Sequence, residues 1–322
     1  MHKTAYEKIK KAKNILVLTH IRPDGDAFGS TGIMIEILEN LGKKYTAFCE
    51  YETIEPFRFL NFIPKIKNKI NQEQLKNFDL IITLDCGDLN RTGLGDEIRD
   101  LGNNQEAKPY IIEFDHHPSY ESYSDLALRQ PELAATTELL YDFLKINKIK
   151  ITKTIANCIL TGILTDTGNL LFPNTSEHTI RICSEMLKYG ANISQITQKT
   201  WYNKNIEAMR LWGYALSNLK INHRYNIAVS VMPRDVILEI NPKDNDIFSA
   251  ISSFLSNLAD VRAVLFLREE ESQIKGSLRT SDPNVDISKL ARFLGGGGHA
   301  KASGFIIKGG KFRKEGRNWK VI

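Results

Sequence analysis

The chain has 322 residues, of which 42% are hydrophobic and 25% charged. That balance belongs to a folded protein long enough for two domains of ordinary size, and it excludes disordered and fibrous classes. Lysine and arginine number 43 against 38 acidic side chains, a formal net charge of +5, too small a surplus to imply by charge alone a protein that coats nucleic acid.

In chain order, the first half alternates short apolar runs with helical patterns, the habit of a parallel sheet covered on both faces. NILVLTH (14–20) reads as the first strand, GSTGIMIEILENLG (29–42) as a helix and YTAFC (45–49) as the next strand. FDLIITLDC (78–86) and PYIIEFDHH (109–117) read as buried strands. TTELLYDFLKI (136–146) and IANCILTGILTDTG (155–168) read as helices, the second apolar nearly all round and so expected to be buried. Residues 176–219 carry mostly helical periodicity, leading to a connector, and from Ile221 strands dominate again: 225–232, 261–269 and 273–280, with a closing segment VDISKLARFLGGGGHAKASGFII at 285–307 and a basic tail. The expected organisation is a first domain over 1–188, a helical connector over 189–220 and a smaller α/β domain over 221–322.

No apolar run approaches the roughly 18 residues that a membrane span needs, since ILVL at 15–18 ends at His20, Arg22 and Asp24. The same interruption argues against a signal peptide. Cys49, Cys86, Cys158 and Cys183 form no CxxC pair and sit in apolar stretches, where buried reduced thiols are expected. These features together predict a cytoplasmic protein without a disulfide framework.

Carboxylates and histidines recur at the ends of the predicted strands. His20, Asp24 and Asp26 lie in HIRPDGD after the first, Asp85 closes LIITLD, Asp115, His116 and His117 close IIEFDHH, and Asp166 sits in LTDTG. A single Asp after a strand is commonly a turn former or a helix N-cap, and Pro23-Asp24-Gly25 is a turn signal by itself. Several such clusters are harder to explain that way. In an open parallel sheet the carboxyl ends of the strands face one crevice, so groups distant in sequence can converge there. Four carboxylates in one crevice would repel one another, and two divalent cations would balance them. Carboxylate and imidazole ligands without thiolate favour manganese, with iron, cobalt or zinc as alternatives and magnesium less suited. Such a bimetal site suits displacement at phosphorus.

In the second half, GGGGHA (295–300) can expose backbone N–H groups as a seat for an anion, with His299 as a further donor; a flexible hairpin is the plainer reading. Arg279, on a predicted strand, could hold a phosphate with its planar fork. Trp201 and Tyr202 could stack on a base, although packing is the commoner use of such a pair.

The motifs HIRPDGDAFGS, LDCGD, FDHHP and LTDTG, in that order, resemble those of the DHH phosphoesterase superfamily, and GSLRT with GGGGHAKASG resembles its attached DHHA1 domain. The resemblance runs from Asn14 to about Ile307 and implies an N-terminal parallel sheet flanked by helices, a smaller C-terminal α/β domain and an active-site cleft between them. Among such proteins the chain looks like the small bacterial oligoribonucleases that degrade very short RNA (nanoRNA) and dephosphorylate 3′-phosphoadenosine 5′-phosphate. It implies that His20, Asp24 and Asp85 hold one metal and that Asp26, Asp85, His116 and Asp166 hold a second. His117 would then protonate the leaving oxygen or contact the phosphate, with Asp115 supporting the pair. Arg279, Gly296, Gly297, Gly298 and His299 would grip the substrate, a short RNA or DNA oligonucleotide or a nucleotide bisphosphate. Three other readings stand beside this one: a phosphodiesterase of linear or cyclic dinucleotides, an inorganic pyrophosphatase, and a metal-dependent nucleotide-binding regulator without catalysis. No membrane partner is expected, and the apolar helices between Ile180 and Leu219 leave a homodimer open.

Overall fold

The computed structural model describes residues 1–50, 55–104, 108–118, 122–202, 205–242, 247–316 and 318–322. Residues 203 and 204 of the expected helical stretch, and Arg317 of the basic tail, lie outside the described residues. The chain divides into two compact units, Met1–Asn203 and Lys204–Ile322.

The first unit runs α1 (His2–Lys11), β1 (Asn14–Thr19), α2 (Gly25–Asn40), β2 (Lys44–Phe48), β3 (Ile66–Lys67), α3 (Gln72–Leu75), β4 (Leu80–Leu84) and α4 (Gly95–Asn104). It continues with β5 (Tyr110–Asp115), β6 (Leu126–Arg129), α5 (Thr136–Ile146), α6 (Lys153–Asp166), α7 (Glu177–Lys188) and α8 (Ile193–Thr200). Six strands form one sheet in the order β3-β2-β1-β4-β5-β6, and every pairing is parallel. The chain order reverses between β1 and β4, the place where an open parallel sheet leaves a crevice at its carboxyl edge.

Alternation along β1 shows why the sheet is apolar on both faces. Ile15 and Val17 enter one core with residues of α1, α2, α5 and α6. Leu16 and Leu18 enter the other with Leu75 of α3 and Ile98 and Leu101 of α4. Successive side chains of a strand point to opposite faces, so a strand covered on both sides reads as an uninterrupted apolar run. Helix α6 is buried as its composition predicts, from Ile155 through Leu164 apart from Asn157. All four cysteines are buried and free. No helix among the described residues is long and apolar enough to cross a membrane.

The second unit runs α9 (Ile206–Ser217), β7 (Lys220–Asn222), β8 (Ile227–Met232), α10 (Arg234–Ile240), α11 (Ile247–Leu255), β9 (Ala263–Glu269) and β10 (Gln273–Arg279). It ends with α12 (Ser288–Phe293), β11 (Gly297–Gly298), β12 (Ala302–Lys308), β13 (Phe312–Glu315) and β14 (Asn318–Val321). Its sheet, β11-β12-β10-β9-β8-β7, is mixed: β8 and β9 are parallel and the other pairs antiparallel. The 189–220 segment, expected as a connector, contributes Ile196 of α8 to the first unit's core and Leu211 of α9 to the second unit's.

Candidate active site

The carboxyl ends of β1, β4 and β5, with the start of α2 and the end of α6, place the parts of the site. His20 follows β1 directly and is 4% exposed; its Nδ1 lies 2.9 Å from the Ile21 carbonyl, leaving Nε2 3.9 Å from Asp24 and 3.7 Å from Asp85. Asp24 is the N-cap of α2 and accepts hydrogen bonds from the Asp26 and Ala27 amides at 3.1 and 3.0 Å. The turn-and-cap reading of this residue therefore holds together with its place in the cluster, and α2 begins at Gly25 rather than Gly29 because of that cap. Asp26 is fully buried. The amides of Thr136 and Thr137 donate to it at 2.6 and 2.9 Å, so the N-terminus of α5 grips its carboxylate with otherwise orphan donors. Helix α6 passes so close that a Cβ on Gly162 would lie 2.4 Å from Asp26 Oδ1.

Asp85 follows β4 with φ +60°, a left-handed conformation that Asp tolerates better than most residues. Its Oδ1 accepts the Thr136 hydroxyl at 2.9 Å and lies 3.6 Å from His116 Nε2 and 3.4 Å from His117 Nδ1. His116 Nε2 is also 3.3 Å from Asp166 at the end of α6. Asp115 is buried and accepts from the Gly87 amide, from the His117 amide at 2.7 Å and from His117 Nδ1 at 2.9 Å.

The result is three overlapping groups whose ligand-type atoms lie within 4.8 Å of one another: His20, Asp24 and Asp85; Asp26, His116 and Asp166; and Asp85, His116 and His117. Burial, then the charges of Asp26, Asp24 and Asp166, drives the Asp85 carboxyl well above its ordinary value. Burial also raises Asp26 and, with Asp24 and Asp26 beside it, pushes Asp166 up to about 8. Burial would lower His116, but Asp166 outweighs it and raises the imidazole to about 9. Asp115 behaves oppositely, because the hydrogen bonds from His117 and Gly87 overcome its burial and hold it below the usual carboxylate range. A metal fits this arrangement. His116 Nε2 is buried without a hydrogen-bond partner among the described residues, and converging carboxylates that raise one another are a donor set that a divalent cation would stabilise.

The model of the DHH family, N-terminal domain, matches residues 14–163, and that of the DHHA1 domain matches residues 225–316. The chain is 31% identical over 296 residues to the bifunctional oligoribonuclease and PAP phosphatase NrnA of Thermus thermophilus, covering 92% of this chain and 84% of that protein. The chain belongs to the DHH phosphoesterase family. The NrnA protein of Bacillus subtilis is 28% identical across 91% of this chain and 89% of its own. A crystal structure of an exopolyphosphatase-related protein from Bacteroides fragilis superposes with a TM-score of 0.84 at 27% identity, covering 94% of this chain and 90% of that one. The DHH match stops three residues short of Asp166, which joins the cluster by geometry.

Within the DHHA1 module, Arg279 ends β10 opposite Ala302 of β12. Its Nη1 donates to the Leu278 carbonyl at 2.9 Å and lies 3.5 Å from that of Ser303, and burial lowers its pKa. The glycine run forms the short strand β11, with Gly297 and Gly298 paired to Gly304 and Ser303. Gly298 has φ +130°, and a Cβ on Gly296 would lie 2.0 Å from the Gly304 carbonyl oxygen. Glycine is thus required for the backbone approach at both positions, while Gly297 faces open space. His299 is exposed in the turn that follows. Tyr202 is 75% exposed and Trp201 39%, so neither is a core residue.

Sequence reading missed Thr136, Thr137 and Arg129 as parts of the DHH site. Two of these act largely through backbone amides, which leave no residue-type signature. Arg129 could have been found as a cation closing a short apolar run after the DHH motif.

Proposed function

We propose that this DHH protein is a metal-dependent phosphoesterase that hydrolyses short oligoribonucleotides to mononucleotides and removes the 3′-phosphate of 3′-phosphoadenosine 5′-phosphate. The observation that carries the reading is the meeting of His20, Asp24, Asp26, Asp85, His116 and Asp166 in overlapping groups, together with relatives named for both activities. His20, Asp24 and Asp85 would hold one divalent cation and Asp26, Asp85, His116 and Asp166 another, with manganese favoured by the mixed carboxylate and imidazole donors. When bound, such cations supply an activated water and positive charge for the phosphoryl oxygens.

The chain's own residues then set the proton and the substrate. Asp115, anionic through its donors, accepts from His117 Nδ1, so that Nε2 is the ring nitrogen that would carry a proton to the leaving group. As the bond from the attacking water oxygen to phosphorus forms, the bond to the leaving ribose oxygen breaks; the water's displaced proton passes to solvent and His117 Nε2 gives its proton to the leaving oxygen. Arg279 with its guanidinium fork and His299 bind a substrate phosphate beside Gly297, with Gly296 and Gly298 shaping the backbone there.

The test is to incubate purified protein and manganese with ribodinucleotides, oligoribonucleotides of rising length, 3′-phosphoadenosine 5′-phosphate, cyclic dinucleotides and pyrophosphate. Turnover of the short linear RNA and of the bisphosphate supports the proposal. Turnover confined to cyclic dinucleotides or pyrophosphate, or binding without turnover, overturns it.

A further inference from the structure

We infer that Arg129 is a positioning residue for phosphoester hydrolysis, holding Asp115 and the His117 backbone so that His117 delivers its proton to the leaving oxygen. The inference rests on the proton-donor role given to His117 above. It begins with strand register: Arg129 closes β6 directly opposite Asp115 of β5, and Ala127 stands opposite Glu113. Residues two apart on a strand share a face, which places the guanidinium beside both carboxylates. The side chain is only 11% exposed.

Its contacts go beyond neutralising one acid. Nη1 donates to the His117 carbonyl at 2.6 Å. Nη2 bonds Glu113, lies 3.4 Å from the Gly87 carbonyl and stands 3.8 Å from Asp115 Oδ2. The same Asp115 binds the Gly87 amide and His117 Nδ1. Arg129 therefore ties the turn after β4 to the bend after β5, the two segments between which the imidazole is held. Glu113 is in turn fixed by the Ser124 hydroxyl at 3.0 Å, so the guanidinium is anchored from behind. A planar fork with five donors can serve several acceptors at once, and an ammonium cannot reproduce that geometry.

A positioning role has a signature that support of the fold lacks. A ribose oxygen needs a proton as it leaves, whereas 4-nitrophenolate leaves without one. In the full-length manganese-loaded protein, Arg129→Gln should lower kcat on a ribodinucleotide by about 10- to 100-fold, while kcat on bis(4-nitrophenyl) phosphate stays within about threefold. Arg129→Lys should recover part of the loss. In the metal-free protein, the His117 Nδ1–H proton resonance, assigned by its disappearance in His117→Ala, should broaden through faster exchange with water in Arg129→Gln. Equal losses on both esters with an unchanged resonance, or no loss on either, overturn the inference. His117→Ala separates the two levels. If it shows no dependence on the leaving group, the proton-donor reading itself fails; if it shows that dependence and the Arg129 variants do not, only the role of Arg129 fails.

Discussion

The parallel sheet of the first unit and the mixed sheet of the second place polar groups by opposite means. At β1, β4 and β5 the strands are buried on both faces up to the last residue, and Asp85, directly after β4, and Asp115, the last residue of β5, are 1% and 0% exposed. In the second unit the glycine run and His299 lie on an exposed hairpin at the edge of a sheet that contains antiparallel pairs. Buried charges at strand ends are expensive and tightly specified, which suits groups that must keep a fixed geometry through a reaction. An exposed hairpin is cheaper to place and more adaptable, which suits the proposed grip on a phosphate of variable context.

That contrast is tested most severely at Asp85, which touches His20, His116, His117 and Thr136. Asp85→Asn should keep the shape of the side chain yet reduce hydrolysis by on the order of 1,000-fold or more. Metal analysis after dialysis should find the bound cation lost as well. Near-normal turnover in this variant would show that the buried cluster is not the reacting centre.

A smaller effect of a different kind is expected at Arg279. Arg279→Ala should raise KM for 3′-phosphoadenosine 5′-phosphate and leave kcat nearly unchanged. A hydrogen bond to a charged group contributes about 1.5–3 kcal/mol, or roughly 10- to 150-fold in kcat/KM. A fall in kcat with KM unchanged would place Arg279 with the first unit's reacting groups and erase the distinction between the two units.

How much was legible in the sequence follows the same line. Uninterrupted apolar runs ending in His or Asp marked β1, β4 and β5, because only strands covered on both faces need such runs, and the site residues at their ends could be named directly. Strand β6 was missed because it is four residues long and carries Arg129, and β3 because it is two residues long. Helix α1 was missed because only Ala5 and Ile9 of its residues are buried, too few for a clear period. The amides of Thr136 and Thr137 were invisible for a deeper reason, since any residue type can donate a backbone N–H. The two-residue strand β11 has no side-chain alternation at all to read.

The mildest prediction concerns the metal-free first unit. Asp166 is raised from an ordinary 3.8 to about 8, so the unfolded chain loses this proton before the folded one does. Below about pH 4 the group costs nothing, and as pH rises towards 8 folding is progressively penalised. His116, raised from 6.5 to about 9, acts in the same direction, because its stabilising charge is present below its unfolded value and is lost as pH climbs through 9. Asp166→Asn removes one of the mutually repelling carboxylates and the partner that raises His116. In the presence of a chelator its thermal midpoint should therefore exceed that of the natural sequence at pH 8 and approach it near pH 5. A divalent cation should reverse the order at pH 8 by stabilising the natural sequence more than the variant, since ligand binding to the folded state alone raises its stability. If Asp166→Asn were the less stable protein at pH 8 without metal, the carboxylates of the first unit would be held by hydrogen bonding rather than strained by one another, and its buried charges would need no cation to settle them.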